Sequence, residues 1–141
     1  MDRGSAYRSN YYLGTVVTIF KQRNQVMKLS KFRSIDVPLF TGKVYLVTTL
    51  KEYNQLLKHV DQAKCTDVVA GKALFLKNYT TGECNYIVGV FNASLGTLVH
   101  ELAHITFFIL NEHGVPIHEG ETNETYCYLL GSLFNSLKHL L

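Results

Sequence analysis

The chain has 141 residues, of which 47% are hydrophobic and 18% charged, with a formal net charge of +3 and three cysteines. These values fit one globular domain and exclude an intrinsically disordered chain and a complete disulfide framework. No apolar run approaches the roughly 18 residues of a membrane-spanning helix, and no secretion-type leader is evident, so the expected setting is cytoplasmic, with no membrane partner.

Charge is unevenly spread. Residues 1–35 carry seven basic groups against Asp2 alone, a net +6, and the remainder carries a net −3. The basic segment, taken as residues 1–40, is either a solvated leader covering part of the domain or an arm that binds nucleic acid or an acidic protein. The leader is favoured because the bases are dispersed. Within it, "YYLGTVVTIFK" (11–21) is β-branched and aromatic and reads as a strand. Residues 41–141 form the expected domain.

"KVYLVTT" (43–49) alternates Val44, Leu46 and Thr48 with Tyr45 and Val47, a strand pattern. A helix comes next in "TLKEYNQLLKHV", with Thr49 as cap, Glu52 at capping-box spacing, and Leu50, Tyr53, Leu56, Leu57 and Val60 at helical period. "KALFLKN" and "CNYIVGVF" flank the turn "YTTGE" and predict an antiparallel hairpin. "NASLGTLVHELAHITFFILNEHG" predicts a long helix, capped by Asn92 or Ser94 and stopped by Gly114 and Pro116. "ETNETYCYLLGSLFNSLKHLL" predicts a last helix with Leu129, Leu130, Leu133 and Leu137 inward. The order strand, helix, hairpin, helix, helix implies an α+β domain with a mostly antiparallel sheet packed against helices.

The chemistry concentrates in "HELAH". At 100° per residue, His100 and His104 share one helix face a turn apart, with Cβ atoms about 5–6 Å from each other. That gap suits two imidazole nitrogens meeting one Zn2+ at about 2.0–2.1 Å. Glu101 stands beside the pair, placed to work on a metal-bound water without becoming a ligand. Two core histidines with hidden partners beside an edge-exposed Glu101 are the alternative. Burying those groups without partners would be costly.

From His100 to His104, and on to "NETYCYLLG", the chain resembles the small gluzincin-like (minigluzincin-type) H-E-x-x-H metallopeptidases of bacteria, archaea and phages. The resemblance spans residues 41–141. It implies a zincin-like domain in which one sheet carries the H-E-x-x-H helix and a further helix supplies a ligand. His100 and His104 are then zinc ligands and Glu101 the general base. The strand "CNYIVGVF", with Tyr86, Val88 and Val90, is then the sheet edge along which a peptide substrate pairs. The pattern H-E-x-x-H-x-x-G-x-x-H is excluded, because Phe107 and Leu110 stand where it needs glycine and histidine.

Two imidazoles need a third protein ligand. Glu112, eight residues past His104, sits about 12 Å along the same helix and cannot reach back. Glu119 lies in a loop that fixes no direction. Glu121 and Glu124 both open the last helix. Glu124 is favoured: it follows His104 at the spacing familiar from gluzincins, Asn123 or Thr122 can cap the helix before it, and Gly131, two turns on, would let the helices approach. Glu121 is the alternative, otherwise supporting a ligand imidazole or water. His118 is a loop residue or an oxyanion donor, or at the outside a third ligand. Tyr128 is a half-buried phenol or a stabiliser of the tetrahedral intermediate. Cys84 is expected to face the core, Cys127 to be a buried helix thiol, and His113 to favour the negative end of its helix.

Two functions compete. One is a zinc-dependent peptidase acting on a peptide or protein through narrow recognition. The other is a zinc-containing interaction module whose basic arm binds a partner protein or nucleic acid. Three good ligands and an open position favour catalysis.

Overall fold

The structure, a computed structural model, describes residues 10–12, 15–17 and 29–141, with the backbone alone for the first two strands and for residues 121 and 122. The chain order is β1 (Asn10–Tyr12), β2 (Thr15–Val17), β3 (Ser34–Asp36), β4 (Lys43–Val47), α1 (Leu50–His59), β5 (Gly71–Lys77), β6 (Cys84–Val90), α2 (Leu95–Glu112) and α3 (Glu121–Leu137), then a 3-10 turn, Lys138–Leu140. The strands form one sheet in the order β1-β2-β5-β6-β4-β3. Pairs β1–β2, β3–β4 and β5–β6 are antiparallel, whereas β2–β5 and β4–β6 are parallel. The α+β class and mostly antiparallel sheet match the sequence.

Alternation along the strands builds two cores. Val44, Leu46, Ala73, Phe75, Tyr86, Val88 and Val90 pack with α2 and α3 on one face. Tyr45, Val47, Leu74, Leu76 and Ile87 pack with α1, Leu29 and Phe32 on the other. In α1, the Thr49 hydroxyl accepts from the Glu52 amide at 3.1 Å, and the Glu52 carboxylate accepts from the Thr48 amide at 3.0 Å. The box thus closes one residue upstream of its usual partner. Ser94 caps α2.

Several expectations are corrected. The segment read as one strand over 11–21 holds two, β1 and β2; residues 13, 14 and 18–21 lie outside the described residues. The boundary at residue 40 falls inside the β3–β4 hairpin, so residues 29–40 share the sheet and core of residues 41–141. β6 is interior, between β5 and β4, and Tyr86, Val88 and Val90 are fully buried, so they are no peptide-binding edge. The N-cap of α3 is Gly120, at φ 104°, and no side chain caps it. Gly131 has nothing within 4 Å of where a Cβ would stand, so it marks no close helix approach. Cys84 does face the core, but Cys127 is exposed. Among the described residues no helix is long and apolar enough to cross a membrane.

Candidate active site

α2 lies across the sheet on Leu98, Leu102, Ile105, Ile109 and Leu110, which turns the opposite side of its N-terminal half outward. On that side, the rings of His100 and His104 stand 5.0 Å apart between centroids, at 77° to each other. His100 is exposed and His104 half-buried. Burial pushes the His104 pKa down, and the His100 charge lowers it further. That favours the neutral imidazole a metal requires.

Glu101 sits on the flank between this pair and the sheet. It is 8% exposed, which removes the edge-exposed alternative. Its carboxylate makes no hydrogen bond or ion pair among the described residues. Burial pushes its pKa up, while His100 and Lys72 pull it down. A Cβ on Gly71 would stand 2.8 Å from Glu101 Cγ and 2.7 Å from Thr97 Cγ2. Glycine at the first position of β5 is therefore what lets α2 bring Glu101 onto the strand. Val69, Gly71, Thr97, His100 and Glu101 line an open depression of about 560 Å³.

The strand beside the site is β5. β6 pairs with it on one side, and on the other β2 pairs through Val17 opposite Phe75. Lys72 donates to Asp67 at 2.7 Å, and that bond raises the Lys72 pKa. Sequence reasoning does not single out Gly71, Lys72 or Asp67. An isolated glycine just before an apolar strand is the one available sign, since it marks close backbone approach.

The last helix meets α2 through a residue that the sequence does not favour. The Tyr126 hydroxyl donates to the Ala103 carbonyl at 3.3 Å, and its ring lies 4.8 Å from Phe107. Tyr128, in contrast, is 76% exposed. Glu124 is also exposed and lines, with Pro38, Leu39, Phe40 and Tyr128, a groove separate from the histidine depression. The side chain of Glu121 lies outside the described residues. His118 is exposed in the loop before α3. His113 does serve the helix end: Nδ1 meets the Ile109 carbonyl at 2.7 Å and Nε2 meets Thr41 Oγ1 at 3.2 Å.

Zn2+ is the metal the motif implies. The structure brings together two imidazoles of the kind that ion takes, with a carboxylate beside them. Among the described residues no three histidine, cysteine or carboxylate side chains are placed together to hold a metal ion. No protein family, no curated protein and no solved structure matches the chain.

Proposed function

We propose that the chain is a zinc-dependent metallopeptidase of the small gluzincin-like kind, hydrolysing peptide bonds with Glu101 as general base. The observation that carries this reading is the outward His100–His104 pair, ring centroids 5.0 Å apart, beside a carboxylate only 8% exposed that makes no ion pair among the described residues. A core pair of histidines would be buried and partnered, and a solvated glutamate would be exposed.

His100 and His104 would hold the ion, which when bound polarises the scissile carbonyl and acidifies water. Glu101, lifted by burial, takes a proton and returns it to the leaving amine. Gly71 and Thr97 fix its position by packing. The third donor comes from the start of α3. Glu124 keeps the spacing in its favour, but in this structure it faces the Pro38–Phe40 groove, which gives Glu121 equal standing. Peptide is received in the depression lined by Gly71, Thr97, His100 and Glu101.

Metal analysis and proteomic cleavage profiling test this together. About one zinc per chain is expected, lost in His100→Ala and in His104→Ala, with cleavage abolished in Glu101→Gln. Zinc affinities of Glu121→Gln, Glu124→Gln and His118→Ala assign the third ligand. Wild-type protein that cannot be loaded with zinc would overturn the function.

A further inference from the structure

Next to the candidate site lies a second cavity that hydrolysis by His100, Glu101 and His104 leaves unused. It occupies about 250 Å³ between α1, the loop after it and the start of β5. Buried Tyr53, Leu57 and Leu74 form its floor, and Lys64, Asp67 and Lys72 line its more exposed mouth.

Its lining carries two cationic side chains, Lys64 and Lys72, beside the Tyr53 hydroxyl. Tyr53 is only 4% exposed, yet its hydroxyl makes no hydrogen bond among the described residues. Burial raises the phenol's pKa, and nearby Cys65 and Glu101 raise it further, so the hydroxyl stays protonated and able to donate. Lys72 gives one N–H to Asp67, and an ammonium has two more to offer. Lys64 has no ion-pair partner among the described residues. The cavity's one carboxylate, Asp67, is already engaged. What is missing is an acceptor with negative charge.

The two cavities meet at the first residues of β5. Gly71 packs against Glu101, and Lys72, the next residue, lines the second cavity while its charge acts on Glu101. An extended peptide crossing the start of β5 between the two cavities turns successive side chains to opposite sides. When one residue presents its carbonyl at His100 and Glu101, a neighbour points toward Tyr53 and Lys72.

We propose that this cavity is a substrate subsite that binds a carboxylate of the peptide being hydrolysed. It presupposes the hydrolytic function proposed above and adds the substrate class to it: peptides with an acidic group next to the scissile bond. The carboxylate comes from an aspartate or glutamate side chain or from the peptide's own C-terminus, and both present the same acceptor.

The test uses the full chain loaded with zinc and carrying Glu101→Gln, with fluorescein-labelled octapeptides read by anisotropy. One set is C-terminally amidated and carries Glu, Gln or Lys at each position in turn. Another carries Gln with a free terminal carboxylate. Either the Glu peptide or the free-terminus peptide should bind at least about tenfold tighter than the amidated Gln peptide, the size expected for a charged hydrogen bond. Which of them does so identifies the source. The preference should shrink to within about threefold in Tyr53→Phe and in Lys72→Met, each retaining the fold, and Lys64→Glu should shift it toward Lys. Equal binding of all the peptides, or a preference that survives both Tyr53→Phe and Lys72→Met, overturns the subsite. Zinc content and wild-type cleavage are read separately. Cleavage without carboxylate preference sinks the subsite alone, whereas absent zinc and absent cleavage sink the hydrolytic function.

Discussion

The two ends of α2 are built on different terms. At the C-terminal end most polar groups are paired, Glu112 with Lys77, His113 with Ile109 and Thr41, and the Val115 amide with the Leu110 carbonyl, the buried Tyr86 hydroxyl near Glu112 being the exception among the described residues. At the N-terminal end the Glu101 carboxylate and the Tyr53 hydroxyl make no hydrogen bond among the described residues, and two imidazoles face outward. One end resembles ordinary stabilisation. The other sets a mostly buried glutamate beside two outward imidazoles, the pattern expected where binding or catalysis sets the residues.

The largest test of that contrast is Glu101→Gln. Its rate of peptide hydrolysis should fall by about 10²–10⁴, with zinc content and melting temperature near wild type. A large loss of stability instead would make Glu101 a structural group. Next comes Gly71→Val. The branched side chain would collide with Thr97, Glu101 and the Gly89 carbonyl, so unfolding free energy should drop by about 1–3 kcal/mol in denaturant titration, and zinc affinity should drop with it. At the other end, His113→Ala removes two hydrogen bonds and the ring contact with Phe40, at a cost of about 1–2 kcal/mol. Zinc affinity should not change, which is what separates the two ends. The smallest effect belongs to Lys77 and Glu112, a partly exposed pair whose double-mutant coupling should be about 0.2–1 kcal/mol. Hydrogen bonding to Glu112 raises the Lys77 pKa above 10.5. The pair's contribution is therefore complete below the ordinary lysine range and is lost as pH climbs through the raised value, so the wild-type advantage over Lys77→Met should vanish in strongly alkaline melts.

The sequence discloses what is local. Thr49 and Ser94 cap where expected, the β5–β6 hairpin forms across "YTTGE", and "HELAH" puts both imidazoles on one helix face. It fails where a long-range choice decides. The resemblance puts "CNYIVGV" at an edge, although the apolar run "YIVGV" signals a strand covered on both faces, and β6 is such a strand. Counting from His104 favours Glu124. The rotation of α3 about its axis is instead fixed by Tyr126 against Ala103 and Phe107, contacts that no spacing encodes. β3, with three residues, is too short to show a period. Helical spacing turns Tyr53 inward, as the structure does, but its unmet hydroxyl emerges only from three-dimensional packing.

The parallel match of β4 with β6 sets a timetable for assembly. Hairpin β5–β6 and the α2–α3 pair join neighbours in the chain, whereas β4 must bring residues 43–47 to 85–89 across α1 and the whole of β5. Closing that long loop costs entropy before any contact repays it, so β4 docks after the hairpin exists. Because β3 is joined to the sheet only through β4, it docks with it. Apolar truncations in β4, such as Leu46→Ala, should then chiefly quicken unfolding, and those in the β5–β6 hairpin should slow folding. The platform beneath Glu101, Gly71 included, is thus among the earliest parts to form, and a nascent chain acquires the floor of its candidate site before its sheet is complete.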